Sequence, residues 1–239
     1  MPARVRLVKA AHGKYGTLLL ALLALIITAP VVNESQAWRI VLSFIAACVI
    51  VAGLVAARPG RGTLVLGLIL AASDFGIGEL AAYDTSAWLL RLQALLWLLT
   101  LTFVSVTILE AVLESQPVTL ETLQAAFCVF LLIGLAWGYA YILIELLAPG
   151  SFQLRGGDYP GWAHHSLRRA SFLRFLILSY SAITSRGYGE LTPASDFANI
   201  AVCLESMGAQ VYLAVVIARL VGLQASRVNS DNDAVSGRE

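Results

Sequence analysis

The sequence predicts an all-α integral membrane protein with six transmembrane helices. Hydrophobic residues make up 59% of the 239-residue chain and charged residues 13%, whereas roughly a quarter of the residues in soluble domains are charged. Six apolar runs are long enough for a helix to cross a bilayer, which takes about 20 residues. A soluble core of this length would leave much of that apolar surface in contact with water.

Short polar or turn-forming segments separate the apolar runs, so each run is expected to be one helix. Asn33 to Gln36 is polar, Arg58 to Gly62 is a turn with two arginines, and Glu114 to Pro117 ends a helix. The first run is not a secretory signal, because it lacks a small-residue cleavage site and further spans follow it. The predicted spans are Tyr15 to Val32, Arg39 to Ala57, Thr63 to Ala82, Ala87 to Leu109, Leu120 to Leu147 and Phe197 to Leu223.

The positions of the positive residues predict the orientation of the chain in the membrane. Cations gather before the first span and again two spans later, which assigns both regions to the cytoplasmic side. With six spans, both termini are then cytoplasmic, and residues 1–14 form a cytoplasmic N-terminal segment. The cations concerned are Arg4, Arg6, Lys9, Lys14, Arg58 and Arg61.

Composition also excludes several classes of function. A net charge of +1 provides no basic face for nucleic acid. Cys48, Cys128 and Cys203 lie far apart in apolar runs, as expected of small buried hydrophobes and not of a metal site or disulfide framework. No Ser, His and Asp residues converge on the predicted spans, so the chain is not expected to be an enzyme.

The segment between the fifth and sixth spans is expected to re-enter the membrane from the outer side. Leu167 to Thr184 is compatible with a helix but is too short and too charged to span, and glycines follow it at once. Non-helical backbone at membrane depth is tolerated only where it is buried in protein or lines water. Gly187 and Gly189 can adopt backbone angles that other residues avoid. The pattern therefore predicts a pore or cavity. A re-entrant segment also explains why this outer region can carry Arg155, Arg168, Arg169 and Arg174.

These glycines belong to a six-residue motif that resembles the selectivity filter of tetrameric potassium channels. In that family the filter reads Thr-Val-Gly-Tyr-Gly followed by Asp; here an acid, Glu190, also follows the second glycine, and Pro193 fits the pattern as well. The resemblance covers roughly Leu120 to Leu223. The motif, called the filter segment below, consists of Thr184, Ser185, Arg186, Gly187, Tyr188 and Gly189.

The resemblance implies a homotetramer with a pore domain over residues 118–223, made of outer helix, pore helix, filter and inner helix. In this family, rings of backbone carbonyls replace the water shell of K⁺. By resemblance, Glu190 and Glu205 support the filter and Gly208 lies near the gating hinge. The function implied is passive, potassium-selective conduction, with K⁺ as the permeant ion and no cofactor. The carbonyls expected to bind K⁺ belong to Ser185, Arg186, Gly187 and Tyr188.

The same resemblance implies a prokaryotic inner membrane as the location, with membrane lipids and further copies of the chain as partners. Nucleic acid is not expected as a partner. After Leu223 only residues 224–239 remain; they are polar, and a disordered tail is expected. No ligand-binding domain fits there, so a gating ligand would be a lipid, an ion or a separate regulatory subunit.

Arg186 departs from the family pattern, in which a small aliphatic residue stands at this position. At an effective dielectric constant of about 20, a cation about 8 Å from K⁺ repels it by about 2 kcal/mol. One hypothesis is that Arg186 lies behind the filter as a brace paired with Glu205, Glu190 being the other candidate counter-ion. The alternative is that Arg186 makes the pore non-selective or non-conducting.

Residues 15–113 resemble the sensor half of a six-span channel without its gating charges. Voltage sensing requires arginines repeated along one helix, and the fourth run offers only Arg91. Little voltage dependence is therefore expected.

Several other charged or titratable residues are functional candidates. Asp74 lies deepest in the membrane, and an internal ion pair with Arg39 or Arg91 is one explanation for it. Glu79, Glu110 and Glu145 lie near span ends and are expected to reach the interface. His164 and His165, with Asp158 nearby, form either a proton sensor, a weak metal site or merely a solvated pair.

Overall fold

The computed structural model describes residues 13–28, 51–53, 60–83, 86–114, 119–155, 167–187 and 189–236, and it is mostly helical. Two short strands form the remaining regular structure of these residues. The elements are α1 (Lys14–Thr28), α2 (Arg61–Tyr83), α3 (Ala87–Glu114), α4 (Leu120–Leu147), β1 (Phe152–Leu154), α5 (Leu167–Ile183), β2 (Leu191–Pro193) and α6 (Asp196–Ser236).

Among the described residues, four helices are long and apolar enough to cross a membrane, in agreement with an all-α membrane protein. They lie within α2, α3, α4 and α6, over Arg61–Leu80, Ala87–Glu114, Leu120–Leu147 and Asp196–Arg219. The first predicted span corresponds to α1, which is apolar but only 15 residues long. Most of the second, Arg39 to Ala57, lies outside the described residues.

Helix α4 has well-defined ends that explain how the chain turns there. Thr119 is extended (φ −118°, ψ 170°) and forms a capping box with Thr122, which satisfies backbone donors at the first turn. At the other end the Glu145 carboxylate accepts hydrogen bonds from the backbone of Gly150 (2.9 Å) and Phe152 (3.1 Å). Glu145 is buried in the single chain and does not extend to its surface. Its carboxylate oxygens accept the backbone hydrogen bonds that stabilise the turn after α4.

The strands β1 and β2 pair antiparallel and close the segment that contains α5. Phe152 lies opposite Pro193 and Leu154 opposite Leu191. The backbone N–H of Arg155 donates to the Glu190 carbonyl at 2.8 Å and extends this pairing by one bond. The segment between the two strands therefore begins and ends at the same place, next to the C-terminal end of α4 and the N-terminal end of α6.

Helix α4 is the centre of the packing. Helices α1 and α3 pack against it, α2 packs against α3, and α5 packs against α4 and α6. Two buried clusters result, one around Leu18, Ile108 and Leu132 and the other around Tyr141 and Phe175.

Two expectations about buried and disordered residues differ from the structure. Cys128 is buried, as predicted, but Cys203 is exposed on the surface of the single chain; Cys48 lies outside the described residues. Helix α6 continues through Gln224 to Ser236, where the sequence predicts a disordered tail from residue 224. Polar composition suggested disorder, but the segment contains neither Pro nor Gly before Gly237, so nothing in it breaks a helix that has already begun.

Candidate functional site

Helix α5 ends in a Schellman motif that starts the filter segment. The backbone N–H of Arg186 donates to the Ser181 carbonyl at 2.9 Å, and that of Ser185 donates to the Ala182 carbonyl at 3.1 Å. These are the two bonds of a Schellman motif, whose next residue after the helix is left-handed and usually glycine. Ser185 takes that place with φ 54°. The sequence predicted a helix end here but not this geometry.

The filter segment is exposed in the single chain after this turn. Residues 184–187 and 189 are exposed, and Gly187 has φ +89°, a conformation in which glycine is favoured. Tyr188 lies outside the described residues, as do His164 and His165. The predicted glycine turn is thus present at Gly187, and the carbonyl rings expected of four assembled copies stay a prediction.

Glu205 of α6 is buried behind the filter segment, where two hydroxyl groups contact it. Its side chain is 1% exposed. The Tyr141 hydroxyl donates to one carboxyl oxygen, and the Ser179 hydroxyl lies 2.5 Å from the other. Ser179 is also 2.8 Å from the Gly134 carbonyl. Helices α4, α5 and α6 therefore meet at this carboxyl group.

The proton count of this network indicates how its hydrogen bonds run. A serine hydroxyl has one proton, so Ser179 cannot donate to Gly134 and Glu205 at the same time. The Ser179 hydroxyl donates to Glu205 when the carboxyl group is ionised; a proton on Glu205, donated to Ser179, would instead let Ser179 donate to Gly134.

Within the described part of the single chain, Arg186 and Glu205 do not form the expected ion pair, and a pair between copies stays a prediction. Arg186 is exposed, and the space around Glu205 is filled by Tyr141 and Ser179. The other candidate counter-ion, Glu190, instead pairs with Arg174 of α5, with 3.3 Å between Nε and Oε2.

Two further side chains of α6 contact the end of α5. The Ser206 hydroxyl lies 3.3 Å from the Ala182 carbonyl, and the Gln210 amide donates to the Ser185 hydroxyl at 3.1 Å. In the single chain the Ser185 hydroxyl therefore accepts a hydrogen bond from α6. Sequence reasoning missed Ser206 and Gln210, although together with Glu205 they make a polar stripe on an otherwise apolar helix.

A close approach between α4 and α5 depends on Gly134. A Cβ atom there would come within 2.4 Å of the Tyr180 ring, and the Tyr180 hydroxyl donates to the Leu131 carbonyl at 2.9 Å. By contrast, a Cβ at Gly208 would meet no atom within 4 Å, and α6 continues unbroken through this residue. The hinge at Gly208 stays a prediction.

Arg219 links the end of α6 to the end of α3. Its guanidinium donates to the carbonyls of Val112 and Leu113, which lie in the last turn of α3, where carbonyls lack helical partners. The cation also interacts favourably with the negative end of the helix dipole. Nothing in the local sequence singled out this arginine, because its partners lie more than 100 residues away.

Comparison with protein-family models, with curated proteins and with solved structures finds no match to this chain.

Proposed function

We propose that four copies of this chain form a potassium-selective channel that conducts K⁺ passively, with little voltage dependence. The observation that carries the proposal is the short helix α5, which lies between two long apolar helices and ends in a Schellman turn that leads into an exposed glycine-containing segment. K⁺ is bound by the backbone carbonyls of Ser185, Arg186, Gly187 and Tyr188. The short helix α5 directs the partly negative end of its dipole toward the ion path.

The surface of α6 supports assembly into a homotetramer. Residues buried on this helix form a narrow stripe that includes Ala198, Val202 and Glu205. The rest of the helix exposes apolar side chains to a degree unusual for a monomer surface. Other copies cover part of this surface and lipid covers the remainder. The exposed side chains are Phe197, Ile200, Leu204, Met207, Val211, Val215, Ile217 and Val221.

The contact of Arg91 supports weak voltage dependence. This residue is the only Lys or Arg of α3, and its Nε donates to the Leu146 carbonyl at the end of α4 at 3.1 Å. A cation that caps a neighbouring helix is held in place, and it does not move across the membrane field as a gating charge does.

The second candidate is a channel-like membrane protein that is non-selective or non-conducting. The exposure of Arg186 favours it, because Glu205 and Glu190, the two candidate counter-ions, have other partners in the single chain. Four unpaired guanidinium groups about 8 Å from the ions would oppose occupancy by about 2 kcal/mol each.

Ion flux into proteoliposomes tests the two candidates. Purified protein is reconstituted, and uptake of K⁺ and of Na⁺ is compared in the wild type, in Arg186→Val and in a matched Arg61→Gln control, since Arg61 is exposed at the start of α2. Strong preference for K⁺ in the wild type supports the potassium channel. Equal uptake of both ions, or uptake that begins only in Arg186→Val, supports the second candidate.

The oligomeric state is the independent check. Cross-linking and mass measurement in detergent are expected to give a tetramer. A monomer or a dimer would contradict both the ring of carbonyls and the assignment of the exposed face of α6 to contacts between copies.

A further inference from the structure

Gln210 is a polar residue within the part of α6 that is apolar enough to cross a membrane. Polar side chains at membrane depth are costly, and they face the protein interior or water. The Gln210 side chain finds its partner at the filter segment, because its Nε2 donates to the Ser185 hydroxyl at 3.1 Å. The two residues are 25 positions apart in the chain, so only the packing of α6 against α5 brings them together.

Ser185, which accepts this hydrogen bond, has a backbone conformation that is unfavourable for serine. Its φ is 54°, in the left-handed region, where the Cβ atom of an L-residue comes too close to the following carbonyl oxygen. Among the residues that the structure describes, it is the only one besides glycines with a positive φ. Such conformations persist where the surrounding structure holds them, and they are concentrated at functional sites. The turn at Ser185 therefore depends on the contacts around it.

The turn is held from two sides, by the backbone bonds of the Schellman motif and by side chains of α6. Ser206 and Gln210 are four residues apart and so lie on the same face of α6. The Ser206 hydroxyl is 3.3 Å from the Ala182 carbonyl but also 3.0 Å from the Val202 carbonyl of its own helix, and it has one proton to donate. Gln210 is thus the residue of α6 whose hydrogen bond goes to Ser185 itself.

We propose that Gln210 is a positioning residue of the filter segment. By holding Ser185 in the left-handed conformation, its amide fixes the directions of the backbone carbonyls from residue 185 onward. Peptide units are planar, so a change in φ or ψ at Ser185 rotates the next carbonyl as a unit. The consequence for ions rests on the proposed function, because K⁺ selectivity depends on the carbonyls that coordinate the ion. The role of Gln210 in the turn does not rest on it.

Hydrogen exchange of the full-length protein in detergent tests the role in the turn. Gln210→Met removes the donor with little change in side-chain length, and methionine suits an apolar helix, so this variant is expected to fold. We expect exchange at residues 184–187 to become about three- to tenfold faster, as for the loss of one hydrogen bond, with the earlier turns of α5 unchanged. Gln153→Met is the matched control, because Gln153 is an exposed glutamine of β1, and it is expected to leave this exchange unchanged.

Two substitutions of Ser185 make the test specific. Ser185→Ala keeps the Cβ atom and loses the acceptor, so it is expected to exchange as fast as Gln210→Met. Ser185→Gly removes the steric cost of a positive φ, so it is expected to exchange more slowly than Ser185→Ala, and adding Gln210→Met to it is expected to have little further effect. Unchanged exchange in Gln210→Met or in Ser185→Ala overturns the inference. A full effect of Gln210→Met in the Ser185→Gly background, or an equal increase throughout α5, overturns it as well.

Uptake of K⁺ and of Na⁺ into proteoliposomes tests the consequence for ions. The ratio of K⁺ to Na⁺ uptake is expected to fall in Gln210→Met and to keep its wild-type value in Gln153→Met. An unchanged ratio in Gln210→Met despite faster exchange at residues 184–187 overturns the role of Gln210 in selectivity. Wild-type protein without a preference for K⁺ contradicts the proposed function, and the exchange measurements then decide separately whether Gln210 holds the turn.

Discussion

The Tyr141 hydroxyl on α4 donates a hydrogen bond to the buried carboxyl group of Glu205 on α6, 64 residues further along the chain. Ser179 of α5 contacts the other oxygen of the same group. One carboxyl group thus ties together the three helices that surround the filter segment. The two hydroxyl groups and the carboxyl group are buried, so their hydrogen bonds are made with protein partners. If one of them is removed, the others are left as buried polar atoms without a hydrogen-bond partner.

If Glu205 is protonated, two substitutions at this position are expected to differ in their effect on stability. In Glu205→Gln the amide still donates toward Ser179 and its oxygen still accepts from Tyr141, so the Tm is expected to change little. Glu205→Ala leaves both hydroxyl groups unsatisfied and is expected to lower stability by about 1–3 kcal/mol per group. Thermal melts in detergent measure both. Equal destabilisation by Gln and Ala would contradict the neutral network.

Gly134 is predicted to be intolerant of a side chain. In Gly134→Ala the new methyl group meets the Tyr180 ring, which is held by its bond to Leu131, so α4 and α5 are forced apart at a cost of about 1–3 kcal/mol. Gly62→Ala is the matched control, because a Cβ there meets nothing within 4 Å, and it is expected to leave the Tm unchanged or to raise it slightly. A neutral Gly134→Ala would show that the helices do not pack this closely.

Arg219 is predicted to hold the end of α3 against α6. Arg219→Ala removes two charge-assisted hydrogen bonds and a favourable helix-dipole interaction, which together contribute about 2–4 kcal/mol. Hydrogen exchange is expected to increase in the last turn of α3, around Val112. The control is Arg61→Ala on an exposed position of α2. Unchanged exchange at Val112 in Arg219→Ala would mean that the contact does not hold the helix end.

Voltage dependence is predicted to be weak and unrelated to Arg91. One charge that crosses the whole membrane field contributes about 2.3 kcal/mol per 100 mV, but Arg91 caps α4 and is not free to move. Planar-bilayer recordings of the wild type and Arg91→Gln are therefore expected to show similar, shallow conductance–voltage curves. A steep curve in the wild type that Arg91→Gln flattens would identify Arg91 as a gating charge.

Local patterns were sufficient to predict much of the fold. Long apolar runs predicted the spans that α2, α3, α4 and α6 contain, because length and hydropathy alone determine whether a helix can cross a bilayer. The short helix before the glycines was also predicted, and α5 ends at Ile183, one residue before the predicted end. Such features depend only on neighbours in the sequence.

Partner choice among polar residues could not be predicted in the same way. The sequence suggested Glu205 for Arg186, whereas the structure pairs Glu205 with Tyr141 and Ser179. Each of these contacts depends on how one helix is rotated about its axis relative to its neighbour. A rotation equivalent to one residue would bury a different side chain and expose the one that is buried now.

The sequence by itself therefore determined that this chain is an apolar helical protein with a glycine turn between two spans, because these properties follow from composition and from residues close together in the chain. Only the tertiary structure decided that Glu205 is shared by three helices and that Arg219 contacts the end of α3. Buried polar groups in an apolar interior must find partners wherever the packing places them, and that packing brings together residues far apart in sequence.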